Sequence, residues 1–259
     1  ISVCLVGSEM CIRDSWRRVS KIRPRQIVTR FLAQLKHEWR LQRRRPFVII
    51  CAGIYFMIAF GDAYQAGLAG DGFQWINGAD AISTRSVILS LFGILAIAGI
   101  IGQATSLDRE SKTEELVLSA TADRTALGLP RFLVGWLIAI AIGACFIPGM
   151  WLGSMMPGIA PESRGDTVST HYLKGLFYFI VPNFLIVSAF AFAIGSRFRS
   201  QGATWLASVG LLVFWILTRM LIGQDVLRHD VFSTCALLDP FGSIAAAQYS
   251  MTWTVEHNN

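Results

Sequence analysis

The sequence predicts an all-α fold, a polytopic bundle of transmembrane helices, on three observations. Five long apolar runs are separated by polar loops, at roughly 46–61, 86–106, 132–156, 173–195 and 202–223. The composition is 53% hydrophobic and only 15% charged, which suits neither an ordinary soluble domain nor a disordered chain. The basic residues fall almost entirely on alternate loops. Crossing the ~30 Å hydrocarbon layer as a helix takes about 20 mostly apolar residues. At least four runs meet that length. The first meets it when extended through Ala66, which brings Asp62 into the span.

Charge sets the expected orientation. Of the 23 Lys and Arg residues, 12 precede the first run. The second polar loop adds Arg109, Lys112, Arg124 and Arg131, and the fourth adds Arg197 and Arg199. The other side holds only Arg85, Arg164, Lys174, Arg219 and Arg228. Positive charge is retained on cytoplasmic loops, so the N-terminus is expected inside and the segment after the fifth span outside. The net charge of +6 then reflects a basic segment lying against anionic headgroups, and no nucleic-acid partner is needed.

Residues 1–15, ISVCLVGSEMCIRDS, differ abruptly in composition from the basic stretch that begins at Trp16 and resemble translated sequencing-adapter read-through. A signal peptide fits them poorly, since Glu9 and Asp14 break the apolar stretch and no basic region precedes it. Residues 16–45 form a basic segment. Within it Ile27, Phe31, Leu35 and Trp39 recur every four positions, with Val28 and Leu32 beside them, and Arg30, Lys36 and Arg40 lie on other faces. That periodicity predicts an amphipathic helix in the membrane interface, with packing on a soluble domain as the alternative. Pro46 opens the first span. Asp62, Asp71 and Asp80 on the first outer loop read as solvated.

Small residues recur at helix-contact spacing: Ala98 and Gly102 in the second span, Gly135, Ala139 and Gly143 in the third, Ala191 and Gly195 in the fourth. Such rows let helix backbones approach closely. Intramembrane polar residues are candidates for function, and the prominent ones are Asn183, which follows Pro182 in mid-span, and Gln103. Pro182 lacks a donor and can kink its helix. Arg219 is placed to snorkel outward. Cys51 and Cys145 sit in spans as small apolar side chains, while Cys4, Cys11 and Cys235 form no metal or disulfide pattern. There is no phosphate-binding Gly-rich loop, and His37-Glu38 lacks the second histidine of a zinc-protease helix. No chain of buried acidic residues or histidines suggests a proton relay.

The cytoplasmic loop 107–131 is the most informative polar segment. A short amphipathic helix fits about Thr113 to Ala120: Thr113 can cap its free amides, and Glu114 and Glu115 suit the positive end of the dipole. Asp123 is placed to cap the helix leading into the third span. This run, Asp108 through Thr113-Glu114-Glu115-Leu116, Ser119 to Arg124, and Arg131-Phe132, resembles the cytoplasmic loop of the ATP-binding-cassette (ABC) type-2 permeases. Their pattern is an acidic residue, Gly-Thr-x-Glu-Leu-Leu, a Ser-x-Pro-x-Ser-Arg turn and Gly-Arg-Phe. Here Lys112 stands for the first glycine and Ala122-Asp123 for Val/Ile-Ser, while order and spacing hold. Pro182-Asn183 and the Gly195-Ser-Arg-Phe-Arg199 loop also fit. Leu238-Asp-Pro-Phe-Gly242 followed by Tyr249 to Asn258 is similar to an outer segment of permeases related to the membrane half of bacterial permease–aminopeptidase fusions.

The resemblance covers residues 26–259 and implies a type-2 permease domain over 46–259. Five spans are present, and a sixth is expected to follow residue 259, with the chain incomplete at both ends. It implies a transport subunit rather than an enzyme, with no cofactor of its own and ATP bound by a partner ATPase. The implied partners are that ATPase, a second permease subunit or half, and membrane lipids. Glu114, Glu115, Asp123 and Arg124 would form the ATPase contact, with Phe31, Leu35 and Trp39 on the interfacial helix. The implied location is the bacterial cytoplasmic (inner) membrane. Two rivals stand: the membrane part of a permease–zinc aminopeptidase fusion, and a secondary carrier or membrane scaffold.

Overall fold

The computed structural model describes residues 24–69, 75–110, 124–222, 239 and 241–242. Among these residues the chain is an all-α bundle with five helical segments long and apolar enough to cross a membrane. It is a multi-pass membrane protein. The end of the bundle carrying Pro46, Ser106 and Phe198 is called the near face, and the opposite end the far face.

The amphipathic segment is helix α1, Pro24–Arg43. Of the predicted row, Leu35 and Trp39 pack against the buried core, while Val28 and Leu32 beside it are more than half exposed.

The first span is α2, Pro46–Ala69, with proline at the first helical position, where a missing N–H costs nothing. Asp62 lies inside this helix and is not a solvated loop residue. Its carboxylate pairs with Arg85 at 3.2 Å. Asp80 belongs to the first turn of α3, Ala79–Glu110, where an acidic side chain suits the dipole. Asp71 lies outside the described residues. The second span, within α3, is the hub of the bundle: 78% of its apolar window is buried, against 17% for the first span and 11% for the fifth. Two of its buried hydroxyls bond its own backbone, Ser86 donating to the Ile82 carbonyl (2.7 Å) and Ser90 to that of Val87 (2.6 Å).

The third apolar run is not one helix. It divides into α4, Arg124–Ala144, and α5, Phe146–Ser154, with Cys145 as a turn between them. Pro148 explains the break. It has no N–H for the Ala144 carbonyl, and its ring crowds that oxygen. The Cys145 N–H bonds the Ile142 carbonyl three residues back (3.0 Å) instead. The separated α5 packs along α2, where Gly149 and Gly153 face Ala59 and Ala63. A Cβ on Gly149 would sit 2.7 Å from the Phe56 carbonyl oxygen, and one on Gly153 would collide with that of Phe60.

The predicted small-residue rows also meet neighbours. Gly135 faces Ile101, Gly143 faces Ile180 and Phe184, Gly102 faces Gln201 and Thr204, and Gly195 faces Thr105 and Thr204.

Past the short helix α6, Pro161–Arg164, the fourth span runs through α7, Ser169–Lys174, a π-helical turn, Gly175–Ile180, and α8, Val181–Phe198. The wide turn accommodates Pro182: the Val181 N–H bonds the Leu176 carbonyl five residues back. Arg199 adopts the left-handed conformation (φ 50°), its N–H capping the Gly195 carbonyl at 2.8 Å, and the chain turns straight into α9, Gln201–Ile222. On the far face, Ile76 and Asn77 donate backbone N–H groups to Ser163 and Arg164 (3.0 and 3.2 Å), and the Tyr172 hydroxyl donates to Asn77 Oδ1 (2.8 Å).

The α2–α5 contact has the least room. Gly153→Leu is expected to destabilise the purified protein by about 1–3 kcal/mol, read as lowered thermal unfolding in detergent. Gly53→Ala, whose Cβ would meet nothing within 4 Å, is the control and should leave it unchanged.

Candidate functional site

Asn183 is the polar residue the fold places most deliberately. It lies 15 residues from Phe198, about 22 Å along an α-helix and so well within the bilayer thickness. It is only 5% exposed. An amide buried there must find partners, because lipid offers none. Both of its N–H donors are used: one to Ser90 Oγ on α3 (3.0 Å), one to the Phe241 carbonyl (3.2 Å).

Phe241 belongs to a turn at 239–242. The Asp239 carboxylate accepts the Phe241 N–H (3.0 Å), and the Gly242 N–H reaches the Asp239 carbonyl (3.3 Å). Gly242 holds φ +66°, which glycine adopts without strain. The turn is thus closed by its own groups. It enters the bundle with Phe241 almost fully buried, its ring edge-on to Trp215 of α9 at 6.3 Å. One side chain of the fourth span thereby ties together the second span and a segment that comes after the fifth. Around Asn183 itself the hydrogen bonds are between neutral groups, and the Asp239 carboxylate serves to close the turn. Among the described residues, no three His, Cys, Asp or Glu side chains converge to hold a metal ion.

A second polar group lies at the near face. Arg45 Nη1 donates to Gln103 Oε1 at 2.7 Å. Arg131 Nε donates to Glu38 Oε1 at 3.0 Å, and the two side chains are only 15% and 12% exposed. Gln103 lies near the end of α3 and Arg131 near the start of α4. Those are the two helices that lead into and out of residues 111–123. The α1 helix and the linker after it therefore hold both flanks of that loop.

Of the residues singled out in the sequence, Asn183 and Gln103 stand in these two clusters. Phe31, Leu35 and Trp39 are half-buried on α1. Glu114, Glu115 and Asp123 lie outside the described residues. Arg124 opens α4, but its side chain, like that of Arg219, is outside them too. Sequence reasoning missed Ser90, Glu38 and the Arg45–Gln103 bond. Ser90 looks like any small residue in a span. Glu38, the sole acidic residue of α1, was the available signal.

Compared with family models, curated proteins and solved structures, the chain gives no match.

The Asn183–Ser90 bond should be measurable as coupling. In a double-mutant cycle of Asn183→Ala and Ser90→Ala, monitored by equilibrium unfolding in mixed micelles, an interaction of about 0.6 kcal/mol is expected. Strict additivity would show that the two side chains do not act together.

Proposed function

We propose that the chain is the membrane-spanning permease subunit of an ATP-driven exporter of the ABC type-2 kind. One observation carries the reading. Asn183 and the 239–242 turn are two of the segments on which the resemblance rests, and they are joined inside the bundle although 58 residues separate Asn183 from Phe241. Chance similarity in two unrelated stretches gives no reason for them to meet.

The proposed mechanism is mechanical. A separate ATPase subunit binds ATP, closes, and presses on the loop around 107–131 through Glu114, Glu115, Asp123 and Arg124. The Glu38–Arg131 and Arg45–Gln103 contacts support transmission, because they make α3, α4 and α1 move as a unit. A second permease subunit or half completes the path, and the five spans supply its wall. The near face is cytoplasmic in this reading, in agreement with the basic residues that crowd it. The protein would sit in the bacterial cytoplasmic (inner) membrane, take no cofactor itself and leave ATP to its partner.

Replacing both Glu114 and Glu115 with Lys reverses the charge offered to the ATPase. Co-purification of that subunit should fall at least about tenfold, while membrane insertion and thermal unfolding stay as in the parent. Undiminished co-purification contradicts the assignment of the loop.

A further inference from the structure

The far ends of α2 and α3 do not close on each other. An open cleft of about 560 Å³ lies between them. Asp62 and Gln65 line it from α2, and Asp80, Thr84 and Arg85 from α3. Two carboxylates and one guanidinium meet there at the edge of the membrane, and charged side chains carried on transmembrane helices point to function.

Three features define what the cleft would hold. The first is depth. Asp62 is 16 residues from Pro46 and Ile88 is 18 from Ser106, about 24 and 27 Å of helix, while Asp80 is 26 from Ser106, about 39 Å, so the cleft runs from just inside the far edge of a ~30 Å hydrocarbon layer out to its headgroups.

The second is charge. Arg85 is fixed by Asp62 (3.2 Å) and by the Ile76 carbonyl (2.9 Å), its side chain 16% exposed, while the Asp62 side chain stays 47% exposed. The lining therefore has a net charge of −1. It offers carboxylates to a cation beside a guanidinium suited to a phosphate.

The third is an apolar row leading away from the cleft. Ile88 forms part of its lining, and Phe92 and Leu95 come one and two turns nearer the bilayer centre on the same helix face; all three are between 41% and 50% exposed. A polar cleft continued by an exposed apolar row matches a molecule with a charged head and a hydrocarbon chain.

We propose that the cleft between α2 and α3 is a binding site for a phospholipid whose headgroup carries a primary ammonium. The ammonium sits against the carboxylates of Asp62 and Asp80, the phosphate faces Arg85, and an acyl chain lies along Ile88, Phe92 and Leu95. A quaternary ammonium offers no N–H to the carboxylates, and a headgroup without any cation is repelled by them. The site stands on the membrane-spanning fold alone and does not depend on the transport reading.

The test is native mass spectrometry of the delipidated protein in mild detergent. It is titrated with phosphatidylethanolamine, phosphatidylcholine and phosphatidylglycerol of identical acyl chains. Phosphatidylethanolamine should be retained about tenfold better than the other two, the worth of one charge-assisted hydrogen bond. Asp62→Asn and Asp80→Asn preserve side-chain shape and should each bring its retention down to the phosphatidylcholine level. Thermal unfolding in nanodiscs gives a second readout, with the parent stabilised by phosphatidylethanolamine and Asp80→Asn not. Equal retention of the three lipids by the parent, or a preference that survives both substitutions, overturns the site.

Discussion

Everything in this bundle depends on α3 and on how closely other helices can approach it. In a bilayer the lipid tails are as apolar as leucine, so no hydrophobic force drives one helix onto another. What remains is close contact and satisfied polar groups. The fold supplies close contact through glycines whose missing side chains are occupied by neighbours: Phe184 at Gly93, Phe47 at Gly99, Thr105 and Thr204 at Gly195. Aromatic rings fill the larger gaps, as where Tyr55 of the first span meets Phe184 edge-on at 6.3 Å. The breaks in the third and fourth spans serve the same end. Each arises from a proline, and the first frees α5 to lie along α2 as a separate contact surface.

Polar links then fix which helix goes where. At the far face the 75–78 segment is stitched to the 163–172 segment by backbone and side-chain hydrogen bonds. Inside the bundle Asn183 joins the second and fourth spans to the 239–242 turn. At the near face the Glu38–Arg131 pair ties α1 to α4. Among the described residues, the far-face links join loop to loop and the near-face pair joins α1 to α4.

The spans were legible in the sequence because twenty apolar residues in a row have few other uses. α1 was legible by its four-residue period, but which apolar row the bundle would claim was not, since Val28/Leu32 and Leu35/Trp39 differ little in composition. The break at Cys145 was hidden because Pro148 sits in an otherwise uniform apolar stretch. The polar links were the least legible of all. Asn183 meets Ser90 across 93 residues, Glu38 meets Arg131 across 93 and Asn77 meets Tyr172 across 95. No local pattern encodes such distances, so Asn183 and Gln103 stood out only as polar residues in apolar company. Asp62 was hard to place for a related reason: its partner Arg85 lies 23 residues away on the next helix.

Five helices are long and apolar enough to cross the membrane, and the proposed orientation puts the basic face on the cytoplasmic side. Single cysteines at Lys36, Glu162 and Arg199, each exposed, test it directly. The native cysteines would be replaced, and a membrane-impermeant maleimide applied to sealed inside-out and right-side-out vesicles. Lys36→Cys and Arg199→Cys should react only in inside-out vesicles and Glu162→Cys only in right-side-out ones. Labelling of all three from the same side, or of Lys36→Cys and Arg199→Cys from opposite sides, would contradict it.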